Sequence, residues 1–389
     1  MSDWKTYKFG DLADLRKEQV NSNGAEQLYI GLEHIEQQTL RLNGIGNSNN
    51  VISNKFKFYA GDVLYGRLRP YFRKVFMPKF DGVCSTEIFV LKNKKIIDKS
   101  FLYYLVASKE FTNIANSGSS GTHMPRADWR QLVKSEWNVP NDINTQTQIA
   151  HILTSLDDKI ELNLQMNQTL ETMAQAIFKE WFVDFKFPGF EGELVEGLPK
   201  GWSKEPLDEK ISYLNGLALQ KFPPKNETDY LPVIKIKELK QGISESSDKA
   251  SIEIDKKYII EDGDILFSWS GSLEIVMWCN GKGALNQHLF KVSSEKYPKW
   301  FYYYWTKEFL PIFQATAADK ATTMGHIQRR HLTESLINVP DKSLMKLAND
   351  ILEPLLERIK SNAIQMQTLI QTRDSLLPRL MSGKIEVTL

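Results

Sequence analysis

Between Pro140 and Pro188 the chain has neither glycine nor proline, and Ile149, Ile152, Leu156, Ile160, Asn163, Met166, Leu170, Met173 and Ile177 recur three or four residues apart. That period predicts one amphipathic helix. With a rise of 1.5 Å per residue, the segment 149–185 would extend about 55 Å, too long to be covered by one small domain, so its apolar stripe needs a partner helix. Near the end of the chain Ile351, Leu352, Leu355, Ile359, Asn362, Met366, Leu369, Leu376 and Leu380 form a matching stripe. The two helices are therefore expected to pack antiparallel. Pro354 aligns with Ser155 of the first helix, which predicts that the second helix starts near it or kinks there, and Pro378 breaks the symmetry again.

Ahead of each helix the pattern is mixed. Gly61-Asp62 followed by Val63-Leu64-Tyr65, and Gly263-Asp264 followed by Ile265-Leu266-Phe267, predict a turn feeding a buried strand. The aromatic-rich runs 100–116 and 300–317 fit helices packed on the resulting sheets. These segments are copies of one another. Gly61 returns as Gly263 (263 − 61 = 202), Asn138-Val139-Pro140 as Asn338-Val339-Pro340 (338 − 138 = 200), and Lys159-Ile160 as Arg358-Ile359 (358 − 159 = 199). Phe101-Leu102-Tyr103-Tyr104 likewise matches Phe301-Tyr302-Tyr303-Tyr304. A unit near 200 residues present twice is a duplication rather than a solenoid. The expected fold class is α+β: two mixed α/β globular domains separated by two long antiparallel helices, with an internal pseudo-two-fold repeat. The boundaries expected are a first globular domain at 1–145, a central helix at 146–187, a second globular domain at 188–345 and a C-terminal helix at 346–389. A Pro- and Gly-dense linker at 188–200 opens the second domain.

Composition narrows the function classes. The 389 residues include 49 Lys and Arg against 48 Asp and Glu, so any surface for nucleic acid must be a local patch. No apolar run reaches eighteen residues and the first residues lack a signal-peptide pattern, which points to a cytoplasmic protein without a membrane role. Cys84 and Cys279 are too far apart in sequence for a short metal or redox motif, and the six histidines form no obvious ligand set with them. P-loop, dinucleotide, zincin and nucleophile-elbow motifs are all missing, as is the Asn/Asp-Pro-Pro-aromatic pocket of an adenine methyltransferase. Asp157-Asp158, the best adjacent carboxylate pair, reads as a helix surface rather than an acid-base pair.

Two kinds of loop remain. Arg67, Arg69, Arg73, Lys74 and Lys79 fall within 67–80 with no acidic residue and with Tyr71 and Phe72 between them. Cations suit phosphates and the forked donors of Arg suit base edges, although a solvated hairpin would look the same. The run from Ser117 to Arg126, including Thr122 and His123, is rich in small and hydroxyl residues, and reads either as a flexible linker or as a backbone that approaches phosphate. Its repeat equivalent, 319–330, again sets Thr322 and Thr323 beside Lys320, His326 and Arg329. The aromatic runs read as core, and Asn163 and Asn362, at stripe positions, as residues that fix helix register. Trp181-Phe182 either cap the core or serve as interface anchors.

The chain resembles the specificity subunit of type I restriction-modification systems. The resemblance rests on several motifs in order. They are Gly61-Asp62-Val63-Leu64 with Arg67-Leu68-Arg69-Pro70; Gly118-Ser119 through Thr122 and Pro125-Arg126; Leu156-Asp157-Asp158-Lys159-Ile160 with Asn163 and Asn167; Phe178 with Trp181-Phe182; Leu198-Pro199-Lys200-Gly201-Trp202; and Thr322-Thr323-Met324-Gly325-His326-Ile327. It implies two target recognition domains, each reading one half of a bipartite DNA site, with the long helices as spacer. It implies as partners two modification (methyltransferase) subunits and restriction (motor-nuclease) subunits. S-adenosylmethionine, ATP and Mg would sit on those partners and no cofactor, metal or catalytic residue on this chain. The DNA-facing set expected in the first domain is Arg67, Arg69, Arg73, Lys74, Thr122, His123 and Arg126. In the second it is Ser268, Ser270, Lys320, Thr322, Thr323, His326 and Arg329. Trp181 and Phe182 are the expected partner anchors. The alternatives are a coiled-coil adaptor or degenerate relative that reads no DNA, and a nuclease or methyltransferase whose metal or S-adenosylmethionine site the motifs do not reveal.

Overall fold

The computed structural model describes residues 3–20, 26–117, 124–318 and 325–387, and the chain divides into two compact units. The first runs to Lys159 and takes in the chain from Leu369 onward; the second is Ile160–Thr368.

In the first unit, Trp4–Lys8 pairs antiparallel with Glu136–Pro140, closing the globular part where the central helix begins. A four-stranded antiparallel sheet has the order Ala13–Leu15, Ile88–Asn93, Val63–Gly66, Val75–Phe76. Inner-strand side chains alternate between two apolar layers, as the pleat requires. Val63 and Tyr65 join the helix-side core with Phe101, Leu102 and Phe111, while Leu64 joins Ile30, Phe58 and Ile88 on the other face. That second layer belongs to a sheet ordered Gln19–Val20, Lys55–Phe58, Gly82–Ser85, Leu28–Ile30, Gly46–Asn47, in which Leu28–Ile30 and Gly82–Ser85 run parallel. Burial on both faces explains why Val63–Gly66 is continuously apolar in sequence.

The second unit repeats this topology. Ser203–Pro206 pairs with Leu336–Val339, and one sheet has the order Ser212–Asn215, Leu289–Ser293, Ile265–Ser268, Ile275–Met277. The other is ordered Lys249–Ser251, Tyr230–Ile234, Gly283–Leu285, Ile259–Ile260, again with one parallel pair. The turns feeding the inner strands have the expected chemistry. Gly61 and Gly263 take φ of 91° and 93°, which favours glycine. The following aspartates close the turns by accepting the backbone N–H of Tyr59 (2.9 Å) and of Glu261 (2.8 Å). Each is also neutralised by a cation, Arg16 for Asp62 at 2.8 Å and Lys291 for Asp264 at 2.6 Å.

The aromatic runs are helical and buried, as expected. Lys99–Ala107 and Lys109–Ser117 form two short helices in the first unit, whereas Lys299–Ala318 is one 20-residue helix in the second. The central helix, Ile143–Phe178, has 36 residues and ends in a π-turn, Lys179–Val183. The C-terminal helix, Lys342–Met381, has 40 residues. It therefore does not begin near Pro354 but runs through both Pro354 and Pro378. Asp341 explains the earlier start, because its carboxylate accepts the backbone N–H groups of Ser343 (2.8 Å) and Leu344 (3.0 Å). The hydroxyl of Ser343 first, and these amides with it, hold that carboxyl below the usual range.

The two helices pair antiparallel within each unit. In the second, Asn163 Nδ2 donates to Gln365 Oε1 at 2.7 Å, Asn167 Nδ2 to the Ile359 carbonyl at 3.0 Å, and Asn362 Nδ2 to Asn167 Oδ1 at 2.9 Å. This buried amide layer gives Asn163 and Asn362 the register role expected of them. In the first unit Asp157 Oδ1 receives Arg373 Nη1 at 2.7 Å and Asp157 Oδ2 receives the Tyr104 hydroxyl at 2.7 Å. Lys79 lies 3.3 Å from Asp158. Asp157 is thus part of the helix packing, while Asp158 lies on the exposed helix surface. The apolar stripe drifts around the helix, so Met173 is exposed and Ala174 and Phe178 take the core positions instead.

Candidate nucleic-acid interface

Where the inner strand of the first unit ends, residues 67–69 cross the segment 125–127. Arg69 N–H donates to the Pro125 carbonyl (2.7 Å), Ala127 N–H to the Arg67 carbonyl (2.8 Å), and Leu68 bridges Arg126. Arg67 N–H also donates to the carbonyl of Glu87 at 2.9 Å, in the connection where the chain passes from one sheet to the other. The second unit builds the same crossing. Gly271 N–H donates to the Gly325 carbonyl (2.8 Å), Ile327 N–H to Trp269 (3.0 Å), and Trp269 N–H to His288 (3.3 Å), while Ser270 bridges His326. By its hydrogen bonds Arg67 is the repeat equivalent of Trp269, Arg69 of Gly271, Arg126 of His326 and Glu87 of His288. The scaffold is shared and the side chains on it differ.

In the first unit Arg126 grips Glu87 with Nε at 3.1 Å from Oε2 and Nη2 at 3.2 Å from Oε1, and Arg67 Nε lies 3.7 Å from Oε2. The Arg67 guanidinium also covers the Phe89 ring at 5.4 Å. Arg69 is exposed, in a left-handed conformation (φ 51°) that projects it from the one-turn helix Pro70–Phe72. Arg73 and Lys74 differ from expectation. Both are half-buried, with Arg73 Nη2 on the Gln38 carbonyl at 3.1 Å and Lys74 Nζ on the Leu32 carbonyl. Burial lowers both pKa values. They brace the loop from behind.

In the second unit the Trp269 indole donates to Asn215 Oδ1 (3.0 Å) and to the Gln287 carbonyl (3.2 Å), and its ring lies 5.9 Å from His288 and 6.3 Å from His326. Ser270 is buried with its hydroxyl 3.0 Å from His288 Nδ1, so it orients that ring. Ser268 does not face outward. It is wholly buried, its hydroxyl donating to the Ser272 carbonyl at 2.7 Å and accepting from Glu274 N–H at 2.8 Å to close the turn between two strands. Arg329 is exposed and reaches the Tyr213 carbonyl at 3.1 Å. Thr122, His123, Lys320, Thr322 and Thr323 lie outside the described residues.

Trp181 and Phe182 are corrected as well. The π-turn directs both inward, and Phe182 is fully buried against Phe178 at 5.3 Å and Trp300 at 5.4 Å. They cap a core and offer no surface to a partner. Glu87, Trp269 and His288 went unnoticed in the sequence, yet aligning Ser85-Thr86-Glu87-Ile88-Phe89 with Asn286-Gln287-His288-Leu289-Phe290 would have placed Glu87 and His288 at one repeat position. Both cysteines are buried, and burial pushes the Cys279 thiol up to about 11. Among the described residues no group of His, Cys, Asp and Glu could hold a metal ion, and no helix is long and apolar enough to cross a membrane.

Comparison with known proteins agrees with this duplicated arrangement. The family profile described as type I restriction modification DNA specificity domain matches twice, at residues 1–172 and 199–371. The HindI specificity subunit of Haemophilus influenzae is 26% identical over 99% of this chain and 100% of its own length. The MjaIX specificity subunit of Methanocaldococcus jannaschii is 27% identical over 74% of this chain and 69% of its own. In fold, the chain resembles the solved type I S subunit from M. genitalium, with a TM-score of 0.56 and 14% identity over 97% of this chain and 96% of that one. Each matched segment contains one crossing and runs on into one of the long helices, and the chain belongs to the type I restriction-modification DNA specificity family as a non-catalytic specificity subunit with two copies of the domain.

Proposed function

We propose that each globular domain reads one half of a bipartite double-stranded DNA target through its crossing, while the paired helices set the separation of the half-sites and dock two modification subunits, to which restriction subunits add. S-adenosylmethionine, ATP and Mg belong to those partners in this reading, in the cytoplasm, and this chain contributes recognition alone. The observation that carries it is the repetition of one backbone crossing with different side chains. Arg67, Arg69, Glu87 and Arg126 in one domain are replaced at the equivalent positions of the other by Trp269, Gly271, His288 and His326. A reader of two unlike half-sites needs a fixed scaffold and variable donors, because base edges are distinguished by donor and acceptor pattern. An adaptor that reads no DNA would explain the paired helices but not two matched crossings with unlike side chains.

The test is charge reversal at Arg67 and Arg69 in the assembled complex, followed by selection of bound sites from random duplex. Preference at one half-site should be lost and the other kept. Equal loss of preference across both halves would contradict the two-reader arrangement.

A further inference from the structure

Glu87 is an unexpected residue to find where DNA is read. A carboxylate repels phosphate, so a site built only to hold the DNA backbone would not place one among its cations. Here its position is enforced from several sides. Its carbonyl receives Arg67 N–H, its carboxylate takes both donors on the Nε–Nη2 edge of Arg126, and Arg67 Nε approaches it at 3.7 Å. The buried Arg67 Nε has no hydrogen-bond partner among the described residues, and the face of Phe89 lies 5.4 Å from the guanidinium. Both arginines are partly exposed, 35% for Arg67 and 43% for Arg126. A planar guanidinium whose side edge is occupied still has its end-on fork, Nη1 with Nη2, and that fork matches two adjacent acceptors.

We infer that Glu87 is a positioning residue that fixes Arg67 and Arg126 to read the O6/N7 edge of guanine in the half-site of the first domain. This rests on the reading of the domains as half-site readers and names the base class for one of them. Guanine is the base that offers two acceptors side by side in the major groove, and it carries no full charge for Glu87 to repel. The second domain supports the assignment by contrast. At the place of Glu87 it has His288 held by Ser270, and at the places of the arginines Trp269 and His326, so among the described residues the arginine-carboxylate cluster is specific to one half.

The experiment maps methylated adenines made by the complete complex carrying the wild-type chain, Glu87→Ala or Arg126→Lys. The wild-type motif should contain guanine in one half. Both variants should relax the same G·C position by roughly ten- to a hundred-fold, the value of one bidentate base contact, with the other half unchanged. Arg126→Lys keeps the charge but loses the fork, so a phosphate contact would survive it and a guanine contact would not. Methylation that falls evenly at all sites in Glu87→Ala, or an unaltered motif in Arg126→Lys, overturns the inference while leaving the half-site reading standing. If Glu87→Ala does not assemble, the exposed Arg126→Lys substitution decides alone. A wild-type complex with no bipartite motif defeats the underlying reading and this inference with it.

Discussion

At the scale of single residues, a buried charge joins the two helix segments of the first unit. Arg373 is 2% exposed, and it stays charged because Asp157 and Asp374 lie at 2.7 and 2.8 Å. Burial by itself lowers its pKa, and the two carboxylates together raise it above its ordinary value. Asp157 also receives the Tyr104 hydroxyl, so one carboxylate ties the first domain to both helix segments of its unit. Replacing Asp157 with Ala leaves a buried guanidinium short of one partner and should destabilise the first unit by about 3 kcal/mol. Denaturant unfolding of the purified chain measures this. A loss below about 1 kcal/mol, typical of exposed pairs, would show that Asp374 and solvent suffice. The second unit reaches the same end with other residues, since Glu171 there gathers Tyr303, Tyr304 and Lys307.

At the scale of elements, the C-terminal helix shows how packing overrides local preference. Pro354 lacks the N–H that would reach the Asp350 carbonyl, yet the helix continues because Leu352 and Leu356 on either side of it are buried in the core of the second unit. Pro354 itself is exposed, so Pro354→Ala removes little packing and restores one bond. It should stabilise the helix by about 1–3 kcal/mol, read as a higher denaturant midpoint. An unchanged or lower midpoint would mean that a bend at Pro354 is needed for the packing. This proline also marks where sequence reasoning reached its limit. Helix existence, pairing direction and the register asparagines were legible because a three-four period persists over many turns. The start of the second helix was not, because the capping carboxylate of Asp341 outweighs the break expected thirteen positions later. The crossings were legible only in part for a similar reason. Arg67 and Arg126 announce themselves by charge, but Ser268 and Lys74 are hidden by strand pairing and a carbonyl contact. Glu87 enters only because the chain crosses between two sheets at that point.

At the scale of the whole molecule, duplication is the feature from which function follows. Two domains that share the order of one four-stranded sheet, one Gly-Asp turn and one backbone crossing have diverged at the side chains that the crossing presents. Common scaffold with unlike donors is what reading an asymmetric sequence asks of a single chain. Near-neutral net charge fits as well, because a subunit whose partners help enclose DNA need not supply all the cations itself. The most direct test is to co-express the chain with its modification subunit and map methylated adenines across a genome. The account predicts an asymmetric bipartite motif with a fixed unspecified spacer, one half of which changes when Trp269, His288 and His326 are replaced together. A stable complex containing S-adenosylmethionine that adds no methylation, or whose motif changes in both halves at once, would contradict it.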